Sequence, residues 1–456
     1  MGVLIENQAG LSTRGAENVV RNEYWRDIRK ILAVPYDKVH NPNGIINLGL
    51  AENYLMHTEI SDRLKSGFDV DTSTHLTYGQ GPVGSPRLLG ALASFFNSNF
   101  HPMSPVSKDE FLVTSGVAAL IDTLTWCICD DSDGILIPQP LYVGFEIDIQ
   151  MRSRGQMLPV SFRESDRDYS IDHTFEPDAN RRAFERAYKE STEKGIKVRA
   201  VLISNPHNPL GKCYSPETIK EIARFCAKYD LHLICDEIYA NSVFVNDDKP
   251  EAQQFESVLS MNLDNIISKY RVHVMYGMSK DFCANGLRLG VLQTRNNDLL
   301  EAVASINLFA WPAYLTQDLW AQILEDVQFL DLFRKTNHQR MAASYGKFTS
   351  FLKKHRIPYM KGSNAAFYLW IRLVPSRVLD VGDASTPSPN TSEVKKVFLE
   401  TCSRNGVSIK DGANYFAEEP EDGWFRVTFT IPDAILEVAM QRLVKSLEDM
   451  GWLELF

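Results

Sequence analysis

Residues 198–239 read VRAVLISNPHNPLGKCYSPETIKEIARFCAKYDLHLICDEIY, and this stretch decides the fold. Two short runs rich in branched apolar residues, Val198–Ser204 and 231–235, are typical of buried strands. Between them, residues 215–217 supply an N-cap serine, a first-turn proline and an early acid, which predicts a helix from about 216 to 229. A strand, a helix and a second strand in this order indicate a parallel sheet covered by helices.

The same pattern extends outward from this stretch. Further buried strands are predicted at Phe111–Thr114, Gly134–Pro138 and 272–275, with helix-like segments between them. After residue 312 the pattern changes to long amphipathic helices, and then to short strands near 366–373 and 425–429. We therefore predict an α/β fold, with a large domain built on a mostly parallel sheet and a smaller α+β domain.

The expected division of the chain has three parts. Residues 1–60 form an N-terminal arm and part of the small domain, residues 61–325 form the large domain, and residues 326–456 form the small C-terminal domain. The stretch 384–392, ASTPSPNTS, is rich in Ser, Thr and Pro and is interpreted as a surface insertion.

Composition narrows the class of partner. The chain has 456 residues with 48 Lys+Arg against 58 Asp+Glu, and the net charge of −10 disfavours a nucleic-acid binder. Seven scattered cysteines without a C-x-x-C pair predict reduced, mostly buried thiols. No apolar stretch reaches the roughly 20 residues that a membrane span needs, and the first residues do not resemble a signal peptide. A cytoplasmic protein that acts on small molecules is expected.

One glycine-rich motif is a weak signal. Residues 79–84, GQGPVG, match the G-x-G-x-x-G pattern of dinucleotide-binding loops. No clear buried strand precedes the motif, and Pro82 interrupts the expected helix entry. We interpret it as a glycine-rich loop.

Polar residues gather at the ends of four predicted strands. Asp236 follows one strand, Lys280 follows another, and Asn208 lies in a turn after a third. Thr114, Ser115 and Gly116 close the fourth and open a helix whose first backbone N–H groups could bind an anion. Each feature alone has an ordinary structural explanation, as a helix cap, a surface lysine or a tight turn. Together they form a far more specific constellation, because ligands of α/β folds bind beyond the carboxyl ends of the strands.

This constellation resembles the class I/II aminotransferase superfamily of pyridoxal 5′-phosphate (PLP) enzymes, which have fold type I. The resemblance covers nearly the whole chain. Residues 41–53, NPNGIINLGLAEN, and 423–427, GWFRV, further resemble the branch of 1-aminocyclopropane-1-carboxylate (ACC) synthases. The resemblance implies PLP as the cofactor, an amino acid as the small-molecule substrate, and a homodimer with shared active sites.

The resemblance also implies a role for each cofactor-binding residue. Lys280 would attach the cofactor and later move the Cα proton, and Asp236 would keep the pyridine nitrogen protonated. The ring would be stacked by Tyr142, and its 3′ oxygen would accept hydrogen bonds from Asn208 and Tyr239. The phosphate would be held by Gly116, Val117, Ala118, Ser279 and Arg288, where a guanidinium offers forked donors.

The substrate-binding residues follow from the same resemblance. Arg426 would bind the α-carboxylate in bidentate fashion, with Asn208 nearby. Glu52 corresponds to a glutamate of the ACC synthase branch that lies near the substrate side chain, and Ala51 and Tyr54 complete the candidate pocket. Tyr78 resembles the tyrosine that reaches the partner subunit's site, although its spacing from the following residues differs from that in plant ACC synthases.

Two departures from the family pattern concern the phosphate. Many relatives have a serine three residues before the lysine, where this chain has Gly277, and Ser279 is the candidate replacement. At Val117 and Ala118 the turn lacks the threonine hydroxyl found in relatives, and the loss of one hydrogen bond would cost about 1 kcal/mol. We expect a weaker hold on the cofactor.

Three functions remain open at this level. The first is an ACC synthase-like lyase that breaks a C–S bond by β- or γ-elimination or by cyclisation, with S-adenosylmethionine as the prototype substrate. The second is an aminotransferase that uses 2-oxoglutarate, and the third is a non-catalytic relative. Retention of the lysine, the aspartate and both arginines disfavours the third. The shared cofactor residues do not separate the first two.

Overall fold

The computed structural model describes residues 10–163, 169–379, 391–418 and 422–456. Its α-helices are α1 (Thr13–Arg21), α2 (Glu23–Leu32), α3 (His57–Ser66), α4 (Pro86–Asn99), α5 (Val117–Ile128), α6 (Gly144–Gln150), α7 (Pro177–Glu193), α8 (Pro216–Lys228), α9 (Asn297–Asn307), α10 (Tyr314–Glu325), α11 (Val327–Lys354), α12 (Ser376–Leu379), α13 (Thr391–Arg404) and α14 (Asp433–Asp449). Its strands are β1 (Ile46–Asn47), β2 (Phe111–Thr114), β3 (Gly134–Pro138), β4 (Gln156–Val160), β5 (Val198–Ser204), β6 (His232–Asp236), β7 (Val272–Gly277), β8 (Gly290–Thr294), β9 (Tyr368–Arg372), β10 (Val407–Ser408), β11 (Lys410–Asp411) and β12 (Trp424–Thr428).

The largest sheet has seven strands in the order β2-β8-β7-β6-β5-β3-β4. Strands β4, β3, β5, β6 and β7 are mutually parallel, whereas β8 is antiparallel to both of its neighbours. Strands β2, β3, β6, β7 and β8 are buried throughout, and β5 is buried except at Arg199, as expected for a sheet with helices on both faces. The predicted α/β class with a mostly parallel, helix-covered sheet is confirmed.

The predicted elements match the observed ones closely where the pattern was strong. Strands β2, β3 and β5 have the predicted bounds, and β6 begins and ends one residue later than expected. The helix predicted at 216–229 is α8, and the hydroxyl of Ser215 accepts from the backbone N–H of Thr218, which is the expected N-cap bond. The sequence analysis did not predict β4 or β8.

A smaller antiparallel sheet has the order β11-β12-β9 and lies within a second hydrophobic cluster. Strand β1 pairs in parallel with β10, so a segment from near residue 46 joins the C-terminal part of the chain. Helix α11 contributes Leu330 and Phe333 to the core of the large sheet and Met341 and Phe348 to the second cluster. The exact domain division at residues 60 and 325 stays a prediction.

Further expectations concern single features. Residues 79–84 form a loop between α3 and α4, and the carbonyl of Val83 accepts from the backbone N–H of Val113. All seven cysteines are free thiols, and six of them are buried. Residues 384–390 of the expected insertion lie outside the described residues, while Thr391 and Ser392 begin α13. Within the described ranges, every helix is too short or too polar to cross a bilayer.

Candidate active site

The four strand ends of the sequence analysis meet at one edge of the large sheet. Strands β5, β6 and β7 are parallel, and β2 runs in the same direction because β8 is antiparallel to both β2 and β7. The loops that carry Gly116, Asn208, Asp236 and Lys280 therefore leave from the same side. The register pairs Ser204 with Asp236, which places the start of the asparagine loop beside the aspartate.

Lys280 lies at the centre of this edge. Its Nζ donates a hydrogen bond of 2.7 Å to the carbonyl oxygen of Ala51. Burial lowers the pKa of the lysine to about 8, and the positive charge of Arg426 acts in the same direction, against the opposing charges of Glu52 and Asp236. A larger share of the amine is thus neutral near physiological pH than for an exposed lysine.

Asp236 is the last residue of β6 and is buried. Its Oδ1 accepts from the backbone N–H of Ile238 at 3.3 Å. Burial raises the pKa of this carboxyl to about 7, a shift that the Ile238 hydrogen bond and the charge of Lys280 only partly oppose. A cation beside it would restore the ionised form.

Gly116 and Arg288 lie together at the corner for which the family resemblance implies phosphate binding. Gly116 has φ +93°, and a Cβ there would lie 2.5 Å from Nη2 of Arg288, so only glycine lets the guanidinium approach this closely. Helix α5 begins at the next residue, Val117, and its first turn includes Ala118. Arg288 also has a left-handed backbone, and its Nη1 donates to the carbonyl of Asn285 at 2.9 Å. A guanidinium and a helix N-terminus thus adjoin one another.

The neighbouring residues explain one departure from the family pattern. A Cβ at Gly277 would lie 2.6 Å from the carbonyl oxygen of Leu289, so this backbone has no room for a serine. Ser279, the candidate replacement, is buried one residue before Lys280.

Arg426 lies in β12 of the small sheet and is buried. Its Nη1 donates to Oδ1 of Asn208 at 3.0 Å, and its Nη2 donates to the carbonyl of Gly49 at 2.6 Å. The rings of Tyr368 and Tyr415 lie 4.6 and 4.7 Å from the guanidinium carbon, within cation–π range. These four contacts fix the orientation of the guanidinium.

Tyr239 and Tyr142 are the two tyrosines for which the family resemblance implies contacts with the cofactor ring, a hydrogen bond and a stacking contact respectively. Tyr239 is buried, and its ring makes edge contacts with Phe367 and Tyr368. Burial raises the pKa of its hydroxyl well above the ordinary value, so the group is a neutral donor. Tyr142 is partly buried and packs against the hydrophobic cluster between the large sheet and helices α5, α6 and α9. A side chain at Gly144 would overlap its ring.

Glu52 and Tyr54 lie together beside Lys280. The hydroxyl of Tyr54 donates to Oε2 of Glu52 at 2.7 Å, and Nδ2 of Asn285 donates to Oε1 at 2.9 Å. Burial, with the adjacent carboxylate, raises the pKa of the Tyr54 phenol far above its ordinary range. Asn285 was not among the predicted residues.

The known proteins most like this chain include plant ACC synthases and fungal aminotransferases. The family model for aminotransferase class I and II matches residues 43–443. The chain belongs to this family. It is 32% identical over 455 residues to 1-aminocyclopropane-1-carboxylate synthase 6 of rice, covering 95% of this chain and 78% of that protein. It is 31% identical to the probable aminotransferase aclI of Aspergillus oryzae, covering 95% and 97%.

Solved structures show the same fold. The aspartate aminotransferase of Thermus thermophilus with maleate superposes with a TM-score of 0.69 at 18% identity, covering 96% of this chain and 100% of that one. The chain therefore has the PLP fold type I of the class I and II aminotransferases.

The enzymes of this family use PLP, and the residues at the strand edge suit it. Lys280 supplies an amine, Asp236 supplies a buried acid that needs a cationic partner, and the Gly116–Arg288 corner supplies donors for a phosphate. These three protein groups correspond to three chemical features of PLP. The amine pairs with its aldehyde, the acid with its pyridine nitrogen, and the donors with its phosphate. The donor set therefore matches the cofactor of the aminotransferase family.

Tyr78 is the predicted residue that lies apart from the others. Its side chain is 83% exposed, and its ring contacts Trp311 edge-on at 6.3 Å. The loop that carries it is held by Tyr314 of α10, whose hydroxyl donates to the carbonyls of Gly81 and Gly84. Within one protomer the structure does not bring Tyr78 to Lys280.

The sequence analysis did not predict one segment of the site, residues 412–418. Residues 412–415 form a 3₁₀ helix that supplies Tyr415, whose carbonyl accepts from the backbone N–H of Leu141 at 2.8 Å. Nε2 of Gln139 donates to the carbonyl of Phe416, and Glu418 accepts from Ser161 and from the backbone N–H of Phe162. No motif identified these residues, because their partners lie more than 250 positions away.

Proposed function

We propose that the protein is a PLP-dependent lyase that breaks a C–S bond at the β or γ carbon of a sulfur-containing amino acid. The observation that carries the proposal is the carboxylate of Glu52 beside Lys280, held by Tyr54 and Asn285. The lysine, the aspartate and both arginines serve any amino-acid reaction of the family. Glu52 is the charged group that faces the substrate side chain in this proposal, and it lies in the segment that resembles ACC synthases.

The chain's own residues have distinct tasks in this reaction. PLP, when bound, acts as the sink for the electron pair left on Cα. Nζ of Lys280 removes the Cα proton, a role that suits a buried amine with a pKa lowered to about 8. Asp236 keeps a positive charge on the ring nitrogen, and Arg426 holds the substrate carboxylate through its two terminal nitrogens.

The position of the leaving group determines the outcome. When sulfur is bound to the β or γ carbon, the electron pair of Cα can lead to loss of the thioether or thiol instead of return of the proton. A sulfonium is the better leaving group, because it departs as a neutral thioether. Glu52 would orient that sulfur, and S-adenosylmethionine remains the prototype substrate.

The test uses the PLP-loaded protein without an oxo acid. We expect S-adenosylmethionine or cysteine thioether conjugates to release a thioether or thiol that mass spectrometry identifies. ACC with methylthioadenosine would establish a synthase, whereas pyruvate or an oxobutyrate, with ammonia and the released thiol or thioether, would establish an eliminating lyase. Lys280→Ala is the control and should abolish turnover. Absence of sulfur release from both substrate classes would refute the lyase.

A second candidate is an aminotransferase that uses 2-oxoglutarate. It is favoured by the relative from Aspergillus oryzae, a probable aminotransferase that matches this chain over 97% of its own length. Glutamate formation from a panel of amino donors with 2-oxoglutarate tests it. Formation of glutamate without sulfur release would make transamination the function.

We also propose that the active protein is a homodimer in which Tyr78 enters the partner's site. The proposal is supported by exposed apolar side chains close in the chain to Tyr78 or to its ring partner Trp311, namely Leu76, Leu308 and Phe309. A mixture of Lys280→Ala and Tyr78→Phe chains tests it, because one site of each mixed dimer would regain both residues. Recovered turnover in the mixture would support shared sites, and a monomer by light scattering would exclude them.

A further inference from the structure

Asn285 holds Glu52 in one orientation together with Tyr54. The two donors bind different oxygens of the carboxylate, at 2.9 Å from Asn285 Nδ2 and 2.7 Å from Tyr54 Oη. A carboxylate that accepts at both oxygens cannot rotate without breaking a hydrogen bond. The backbone of Glu52 is fixed as well, because its carbonyl accepts from Thr430 at 2.8 Å.

Asn285 lies between two of the proposed cofactor-binding residues in the chain. The residue lies five positions after Lys280 and three before Arg288, in the 3₁₀ turn Asn285–Leu287. Its carbonyl accepts from Arg288, while its side chain reaches Glu52. One residue thus joins the proposed phosphate-binding group to the side-chain pocket, through two separate atoms.

The charge of Glu52 is not neutralised by these contacts. Both donors are uncharged groups, an amide and a phenol, so they orient the carboxylate without forming a salt bridge. The charge of Glu52 favours the protonated form of Lys280, which shows that its field reaches the reacting amine. Glu52 therefore has an oriented carboxylate and directly follows Ala51, whose carbonyl binds Nζ of Lys280.

We propose that Asn285 is a positioning residue that fixes Glu52 so that the pocket selects amino acids with a positively charged side chain, such as a sulfonium, over their neutral thioethers. The inference rests on the proposed function, since it specifies the substrate class of the same site. A fixed carboxylate needs no reorganisation when the cation enters, whereas a mobile one loses part of its interaction to ordering.

The two roles of Asn285 can be separated by substitution. Any replacement keeps the backbone carbonyl that accepts from Arg288, whereas Asn285→Ala removes the donor to Glu52. A change in the substrate pocket with unaltered cofactor binding therefore identifies the positioning role. Tyr54→Phe removes the second donor and serves as an independent variant.

The experiment compares ligand pairs that differ by one methyl group and one charge at sulfur. The PLP-loaded protein is mixed rapidly with S-adenosylmethionine or S-adenosylhomocysteine, and with S-methylmethionine or methionine, and the change in cofactor absorbance gives each Kd before turnover. We expect the native protein to prefer both sulfonium ligands. Asn285→Ala should reduce that preference by about tenfold, mainly by weakening sulfonium binding, and Tyr54→Phe should act in the same direction.

Controls make the outcomes distinct. Asn262→Ala, at an exposed surface asparagine, should leave the preference unchanged. In a Glu52→Gln background, Asn285→Ala should have no further effect on it. Equal weakening of charged and neutral ligands, or loss of cofactor absorbance, would overturn the proposal. A native protein that binds sulfonium and neutral ligands equally well would also overturn the proposal, even if thioether cleavage occurs. A preference for sulfonium ligands without sulfur release would instead refute the lyase and leave the role of Asn285 intact.

Discussion

The side-chain oxygen of Asn208 accepts a hydrogen bond of 3.0 Å from Nη1 of Arg426. The asparagine follows β5 of the large sheet, and the arginine lies in β12 of the small sheet. Because the amide oxygen is used in this way, the NH₂ group of Asn208 is the part that can donate to the cofactor. The proposed cofactor and carboxylate sites therefore share one side chain.

Arg426→Lys should reduce kcat/KM for amino-acid substrates by about 100-fold, because lysine keeps the charge but loses the forked pair of donors. Cofactor absorbance should remain, since the phosphate and ring contacts are elsewhere. Steady-state kinetics and the visible spectrum measure both effects. Arg372→Lys in the adjacent strand is the matched control, and an equal loss there would contradict the assignment.

Tyr415→Leu should raise KM about tenfold while changing kcat little, because it removes one of the two rings that orient Arg426. Tyr415→Phe keeps the ring and should stay close to the native value. A kinetic comparison of the two variants tests the cation–π contact. If phenylalanine were as damaging as leucine, the hydroxyl and not the ring would be the important group.

Lys280→Met should stabilise the cofactor-free protein at pH 7. The folded pKa of Lys280, about 8, lies below the ordinary 10.5, so protonation opposes folding. This destabilisation is complete below pH 8 and fades as the pH rises toward 10.5, because the unfolded chain then also loses the proton. We expect an advantage of about 3 kcal/mol at pH 7 that shrinks by pH 10. Denaturant unfolding at both pH values measures it, and a pH-independent difference would be inconsistent with a lysine whose pKa is lowered by burial.

Gly116→Ala should weaken PLP binding by about tenfold or more, since the methyl group would displace the guanidinium of Arg288 and strain a backbone at φ +93°. Gly286→Ala lies in the same region but meets no atom within 4 Å, and it should bind PLP normally. Equilibrium titration with PLP compares them. Equal affinities would argue against this corner as the phosphate site.

Lys395→Met should destabilise the protein by about 3 kcal/mol, because it leaves two acids without their shared cation in a poorly solvated place. Nζ of Lys395 lies 3.3 Å from Asp411 and 3.2 Å from Asp422, and its side chain is only 6% exposed. Lys347→Met breaks a similar pair of contacts at the surface and should cost less than about 1 kcal/mol. Chemical denaturation of both variants measures their losses of unfolding free energy, and equal losses would contradict the prediction.

The strongly patterned strands could be predicted from the sequence, and the weakly patterned ones could not. Strand β5 is apolar from Val198 to Ile203 except at Arg199 and lies between turn residues, so its bounds could be predicted. Strand β4 lies at the sheet edge, has only Met157 and Val160 buried, and contains Pro159, a residue that argues against a central strand. Strand β8 is five residues long and antiparallel, so it lacks the helix that marks a parallel crossover.

The residues of the site likewise fall into those that could be predicted from the sequence and those that could not. Residues at strand ends, such as Lys280 and Asp236, could be found because strand direction places them at one edge. Asn285 and Glu418 act through partners from distant parts of the chain, and Tyr415 is held by Leu141 although its ring contacts the nearby Arg426; the type of residue gives no sign of such contacts. The roles of the predicted residues in cofactor and substrate binding stay predictions.

The segment from Tyr415 to Glu418 has one more consequence. Tyr415 steadies Arg426, while Glu418 holds Phe162 and the carbonyls of Tyr415 and Phe416 hold Leu141 and Gln139. Thermodynamic linkage requires reciprocity between the two ends: a ligand that engages Arg426 more strongly when the segment is docked must tighten that docking by the same factor. If an amino acid binds Arg426 in this way, its residence time would depend on Glu418, which anchors the same segment through Phe162.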